Sequence, residues 1–358
     1  MVRILLLIDS LGPGGAQRQI VGLAKLLKEN GCLVKVLYYH PIYFYRPYLD
    51  EHCVDNEYIE GATCYVKRVF LIAYAIREYQ PETVISFLDT PNMITCLLKA
   101  VRMRFRLITG ERNTTQYLNK NEKLKFWFLR RADVIVPNSY SQTRFIKTNF
   151  PHLYHKVFTI TNFVDLDLFC PVLKNWKHQT LRIIGVGRVE SQKNIDCLIK
   201  AIKIVVDQGQ NVHVDWYGRM TELIIDYKKM LEELALNAVF SFHEPTTAIH
   251  KKYQEADLFC LPSLFEGYPN VLCEAMACGL PVICSDVCDN AFIMEDGVNG
   301  YLFNPQEPQD LAGRIIQYIT IPEEEKILMG KKSRELAEKK FGKDIFLTKY
   351  LNLIQGKA

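Results

Sequence analysis

Apolar positions along this chain fall into short continuous runs separated by polar, helix-period stretches, and the alternation occurs twice. The first series opens with the run Ile4 to Ile8, a Gly-rich turn from Gly12 to Gly15, an amphipathic stretch from Gln17 to Lys28, Gly31, and a second run from Leu33 to Tyr39. Runs of that length bounded by turn residues read as buried strands, and the helix-period stretch between them as a crossover, so this segment predicts one βαβ unit. Further strands are predicted at Thr83 to Phe87, Arg106 to Thr109, Val134 to Pro137 and Val157 to Ile160. With helical stretches between them they make one doubly wound α/β domain.

Periodicity lapses from Asn162 through Pro171 and the polar stretch Lys174 to Thr180, which have turn chemistry, and then resumes. The second series predicts strands at Leu181 to Val186, Val212 to Tyr217, Val239 to Phe242, Ala256 to Pro262, Val282 to Ser285 and Gly300 to Phe303. Its helices are predicted at Ile195 to Asp207, Pro308 to Tyr318 and Glu323 to Phe341, and a closing helix at Lys343 to Ile354. A chain of 358 residues exceeds one ordinary core. The expected division is a first domain over 1–168, a second over 169–342, and a terminal helix over 343–358 that crosses back to the first.

The most informative segment is Phe265-Glu266-Gly267-Tyr268-Pro269-Asn270-Val271-Leu272-Cys273-Glu274-Ala275-Met276-Ala277-Cys278-Gly279-Leu280-Pro281. It follows an apolar run. Leu264 to Pro269 reads as a loop, Asn270 as an N-cap, Asn270 to Cys278 as a short helix, Gly279 as its left-handed terminator, and Pro281 as a stop. Glu266 then lies on the loop and Glu274 on the first turns of the helix. Both stand at the carboxyl end of a strand, where α/β proteins place ligand chemistry beside unpaired backbone amides. The bland reading, a helix-start acid plus one exposed loop acid, explains Glu274 but not the whole string.

Two other loops carry candidate chemistry. Ser10-Leu11-Gly12-Pro13-Gly14-Gly15-Ala16-Gln17 suits close approach of a diphosphate, or is simply a tight strand-to-helix turn. It lacks the third glycine of the dinucleotide fingerprint, and the second strand ends in Tyr39-His40 where an acidic ribose ligand belongs, which disfavours an NAD enzyme. Gly185-Val186-Gly187-Arg188-Val189-Glu190-Ser191-Gln192-Lys193-Asn194 sets Arg188 and Lys193 at the start of the second domain's first helix. Taken alone it could be a solvated basic loop. Cations for phosphate beside carboxylates for sugar hydroxyls describe a nucleotide sugar.

Composition narrows the class. Hydrophobic residues make up 49% and charged residues 23%, ordinary for a globular enzyme. No apolar run approaches the ~20 residues of a membrane span, and the run after Arg3 is too short for a signal peptide, so the chain is expected in the cytosol. Eleven cysteines include no pair at two-residue spacing and read as reduced, mostly buried hydrophobes. His152 and His155 have ligand-like spacing without an acidic or cysteine partner, and no metal is expected.

Pro262 to Pro281 resembles the signature of the retaining glycosyltransferases of family 4, with the GT-B architecture of two Rossmann-like domains facing across a cleft. The resemblance extends to Gly12 to Gly15, Asn138-Ser139, Asn162 to Phe169, and Arg188 with Lys193. It implies that Arg188 and Lys193 bind the donor diphosphate, Glu274 the ribose hydroxyls and Glu266 the donor sugar. It further implies that Gly14 and Gly15 approach the diphosphate, and that Gly267 and the amides of Asn270, Val271 and Leu272 complete the anion site. No metal or cofactor is implied, since cations and helix dipoles neutralise the diphosphate. Retention through an oxocarbenium-like transition state follows, with the leaving phosphate accepting the acceptor's proton. Two departures stand out: Gln17 where many members have Glu, and Gly110-Glu111-Arg112-Asn113 where many have His. Arg112 or Asn113 would then contact the sugar or acceptor. Glu-Arg-Asn at this place resembles bacterial transferases that build cell-surface or lipid-linked glycans.

Between Lys99 and Arg131 ten basic residues stand against two acidic ones, a local +8 in a chain of +4. Tyr117, Phe126, Trp127 and Phe128 interleave with them, which suits either an anionic membrane surface or a helix packing its aromatics inward. No nucleic-acid recognition module accompanies the patch. The reading is transfer of a sugar from a UDP-sugar to a glycan acceptor, lipid-linked, at the inner face of the cell membrane. The alternatives are a GDP-mannose enzyme, a catalytically idle nucleotide-sugar-binding partner, and a nucleotide-sugar epimerase.

Overall fold

The computed structural model describes residues 1–172 and 180–357. The expected polar stretch Lys174 to Thr180 therefore lies outside the described residues except for Thr180. The chain divides into two compact units, Met1–Asn162 with Lys343–Ala358, and Phe163–Gly342.

The first unit runs β1 (Arg3–Leu7), α1 (Gly15–Glu29), β2 (Leu33–Tyr38), α2 (Arg46–Glu51), β3 (Asp55–Tyr58), α3 (Tyr65–Tyr79), β4 (Thr83–Phe87), α4 (Asp89–Ala100), β5 (Arg106–Glu111), α5 (Lys120–Leu129), β6 (Val134–Pro137) and α6 (Tyr140–Asn149). The second runs β7 (Leu181–Val186), α7 (Ile195–Asp207), β8 (Val212–Tyr217), α8 (Leu223–Glu233), β9 (Phe240–His243), α9 (Ile249–Glu255), β10 (Leu258–Leu261), α10 (Asn270–Ala277), β11 (Val282–Ser285), α11 (Asn290–Ile293), β12 (Gly300–Phe303), α12 (Pro308–Thr320) and α13 (Glu323–Phe341). The last helix, α14 (Lys343–Ile354), belongs to the first unit.

Each unit holds a six-stranded parallel sheet, ordered β3-β2-β1-β4-β5-β6 in the first and β12-β11-β10-β7-β8-β9 in the second. Renumbered from its own first strand, the second sheet has the order of the first. Both are doubly wound, with a switch point between first and fourth strands: β1 beside β4, and β7 beside β10. Central strands are buried on both faces, which explains their unbroken apolar runs.

Three expectations change. Val157 to Ile160 is not a strand; a 3-10 turn occupies Pro151–Lys156 and only Val157 bridges to Ile135. The amides of Phe158 and Ile160 do donate to Ile135 and Pro137, but Pro137 has no N–H to return, so the ladder stops. The sequence pattern misses β3, because Asp55-Asn56-Glu57-Tyr58 is a polar edge strand, tied to β2 by a Lys35–Glu57 ion pair at 2.6 Å. Finally, the second unit begins at Phe163 rather than 169. Val164 and Phe169 are buried in its core, and the Val164 amide donates to Phe341 O.

Candidate functional site

The switch point of the second unit gathers the residues that the sequence singled out. After β7 the chain passes Gly187 and Arg188 into a single 3-10 turn, Ser191–Lys193, and Asn194 takes a left-handed φ of 53° before α7 begins. Glycine is required close by: a Cβ on Gly218 would stand 1.9 Å from the carbonyl oxygen of Gly187, a backbone clash that no rotamer relieves.

This loop is laced to the one after β10. Asn194 Nδ2 donates to Pro262 O at 3.0 Å and to Pro305 O at 2.8 Å, Gln192 Nε2 donates to Phe265 O at 2.8 Å, and the Leu264 amide donates to Gln192 O at 2.9 Å. The lacing delivers the central pair. Lys193 Nζ donates to Glu266 Oε1 at 2.5 Å, and Ser263 Oγ donates to the same oxygen at 2.6 Å. Ser263 is held in turn by Ser285, whose Oγ donates to Ser263 O at 2.6 Å. Glu266 is buried, yet its Oε2 accepts no hydrogen bond among the described residues. A carboxylate anchored through one oxygen and open at the other is oriented to receive a ligand hydroxyl.

Arg188 stands in the same loop with its side chain 57% exposed, and its Nη1 pairs with Glu190 at 3.0 Å. Its guanidinium can turn toward an anion at little cost, since an exposed pair of this kind contributes about 0–1 kcal/mol. Pro269, not Asn270, precedes the first turn of α10. Its extended backbone ends the loop, so Asn270 is already the first helical residue rather than the cap. The amides of Asn270, Val271 and Leu272 thus form the first turn, where donors lack intrahelical acceptors. Glu274 lies one turn further in and is 2% exposed, not a surface acid; Tyr253 of α9 donates its hydroxyl to Glu274 Oε2 at 3.3 Å. Gly267 remains in the loop between Glu266 and the helix.

The first unit treats its charges differently. Gly14 precedes α1 and Gly15 opens it, and Gln17 Nε2 donates to Asp9 Oδ1 at 3.0 Å, folding the side chain back over the glycines. Arg112, expected to touch sugar or acceptor, is engaged within its own unit. Its guanidinium lies 3.8 Å from the Phe87 ring centroid, Nη1 donates to Asn162 Oδ1 at 3.1 Å, and Nη2 donates to Tyr350 OH at 2.7 Å. Burial lowers its pKa, while Tyr350 and Glu111 act the other way. Asn113 is exposed beside it.

Sequence reasoning missed the neighbouring cluster entirely. Lys125 of α5 is buried and reaches Glu122 at 2.8 Å, Glu111 at 3.2 Å and Asp89 at 3.5 Å, and Asn92 Nδ2 donates to Glu111 Oε1 at 3.0 Å. Burial pushes the Glu111 carboxyl above its ordinary range despite Lys125. For Lys125 burial acts downward, but the three carboxylates outweigh it and hold the ammonium above the usual lysine value. The one available signal was Glu122 three residues before Lys125.

Residues 174–336 match the family model of glycosyl transferases group 1. The chain is 28% identical over 308 residues to the N-acetylgalactosamine-N,N'-diacetylbacillosaminyl-diphospho-undecaprenol 4-alpha-N-acetylgalactosaminyltransferase of Campylobacter jejuni, covering 80% of this chain and 81% of that one. It is 30% identical over 205 residues to the poly(ribitol-phosphate) alpha-N-acetylglucosaminyltransferase of Staphylococcus aureus, covering 55% of this chain but 39% of the relative. Among solved structures, Anabaena HepE in complex with UDP-glucose superposes with a TM-score of 0.86 at 18% identity, over 99% of this chain and 100% of that one. The fold is GT-B, as the paired doubly wound sheets indicate. Its second unit carries the segment shared with group 1 glycosyltransferases.

Proposed function

We propose that this protein is a metal-independent retaining glycosyltransferase of family 4. It moves a hexosyl or N-acetylhexosaminyl group from a UDP-sugar to a lipid-linked glycan acceptor during cell-surface glycan synthesis. The observation that carries the reading is the Lys193–Glu266–Ser263 arrangement at the switch point, with Glu266 Oε2 open and Arg188 alongside. The names of the Campylobacter and Staphylococcus relatives and the UDP-glucose complex support the acceptor and donor classes.

In this reading Arg188 and Lys193, with the first amides of α10, hold the donor diphosphate and stabilise the negative charge that grows on it as the anomeric C–O bond breaks. These cations do the work a divalent ion does elsewhere. Glu266 faces the donor sugar through Oε2, and Glu274, steadied by Tyr253, takes the ribose hydroxyls. The acceptor hydroxyl bonds to the anomeric carbon on the face the diphosphate leaves, and its proton passes to the departing phosphate oxygen. No protein base is needed. The first unit takes the acceptor, and the protein works in peripheral contact with the cytoplasmic membrane face.

Titration calorimetry of UDP, GDP and ADP with chelator present tests the proposal. UDP alone should bind. Binding of GDP alone would redirect it to a GDP-mannose donor, and failure of all three with folded protein would overturn it. Product analysis with UDP-sugar and acceptor separates transfer from isomerisation of the donor.

A further inference from the structure

One helix of the first unit shows the wrong face to water. Only Ile72 and Ile76 of α3 are buried, while Val66, Phe70 and Tyr74 are 64%, 71% and 64% exposed. They recur at four-residue intervals and so form one row along the helix, and Arg77, three residues on, continues it. Arg77 also lines a recess of about 390 Å³ with Gln80, Val101, Arg102, Arg104 and Phe105. Val101 is itself 64% exposed. None of the three arginines makes a salt bridge among the described residues. The row and recess therefore form one strip with apolar side chains along its length and unpaired guanidiniums at its end. Lys67 adds a further exposed cation on α3, and Glu78 is the lone acid in α3 or the 101–105 loop.

We infer that this strip is the surface by which the protein docks on an anionic lipid bilayer, with Phe70 and Tyr74 entering the headgroup boundary and Arg77, Arg102 and Arg104 taking lipid phosphates. An amphipathic helix with aromatic and aliphatic residues on one face and cations beside them partitions to such an interface, and guanidiniums match phosphate oxygens in pairs. Charge complementarity selects the bilayer over a second copy of the chain, because the strip offers its own cations no carboxylate but Glu78, whereas an anionic surface supplies phosphates to all of them. It also selects α3 over α5, the helix that the sequence favoured. There Lys125 and Phe126 turn inward and Arg130 covers Trp127 at 4.4 Å. The inference rests on the proposed work at a membrane face, but nucleotide binding and vesicle binding can fail independently.

The test is co-sedimentation of the full chain with vesicles of phosphatidylcholine alone and with phosphatidylglycerol added. Phe70→Trp serves as a fluorescent reporter, read against the wild type. Binding should need the anionic lipid, and the new tryptophan should shift blue and be quenched by brominated acyl chains. Phe70→Ser with Tyr74→Ser should abolish binding, and each of Arg77→Gln, Arg102→Gln and Arg104→Gln should weaken it roughly fivefold. All five positions are exposed, and melting temperature and UDP calorimetry report whether each variant remains folded. Absence of vesicle binding would overturn the inference. So would loss only on Leu124→Ser with Trp127→Ser, or a dimer in sedimentation that the α3 variant dissociates. Binding of inorganic phosphate without vesicle binding would reduce the recess to a simple anion site.

Discussion

Both sheets have one strand order, and both place charged residues just beyond their strands' carboxyl ends, but the two clusters are finished differently. In the first unit Lys125 is ringed by Glu111, Asp89 and Glu122, and the Arg112 head group is taken by Phe87, Asn162 and Tyr350. In the second, Glu266 keeps an oxygen open and Arg188 remains largely exposed. In the first unit the charges are spent on one another inside the protein, although Glu111 Oε2 and Arg112 Nε stay buried without a hydrogen bond among the described residues, and this holds a loop in place; in the second, Arg188 faces solvent and has capacity left for a ligand. Similar residue types at similar places thus mark a structural clasp in one unit and a candidate binding site in the other.

The two clusters differ most at Lys125. Lys125→Ala strands a buried carboxylate and should cost about 3–5 kcal/mol of stability in urea unfolding, with UDP affinity in the folded fraction unchanged. Glu111→Gln combined with Lys125→Met should restore much of the loss. A matching loss of UDP affinity in Lys125→Ala would dissolve the distinction between the units.

Glu266→Ala should do the reverse, lowering transfer about 10²–10³-fold while leaving UDP affinity and melting temperature nearly as they were. Normal turnover by that variant would remove Glu266 from the chemistry. Arg188→Ala should weaken UDP binding roughly 10-fold or somewhat more, the worth of one charge-assisted hydrogen bond, and should reduce turnover with it.

The smallest effect is the pH response of the clasp. The folded pKa of Lys125 is raised above the unfolded lysine value, so its stabilising contribution is complete below about pH 10.4 and disappears as pH rises through the folded value. The urea midpoint of the wild type should therefore drop toward that of the Glu111→Gln, Lys125→Met variant only in alkaline buffer. A gap that stayed constant past pH 11 would show that the ammonium is not what stabilises the loop.

Local chemistry made much of this legible in the sequence. Ile195–Asp207 and Glu323–Phe341 match the predicted bounds because a helix's apolar period and its first and last residues are local properties. The α10 segment was readable for the same reason, apart from its cap, which went to Pro269 once the loop's extended path was set. The polar edge strand β3 escaped because its partner, not its composition, makes it a strand.

By itself the sequence determined two doubly wound sheets, the loops that end their strands, and the residue types in those loops, since each follows from periodicity and turn chemistry within about twenty residues. Only the tertiary structure decided which charges meet. Lys193 and Glu266 are 73 positions apart, and Glu111 and Lys125 lie on different elements. Their pairing, burial and remaining capacity depend on which strands become neighbours. The same holds for α3, whose outward row becomes meaningful only when Ile72 and Ile76 are seen to be the face the core has taken.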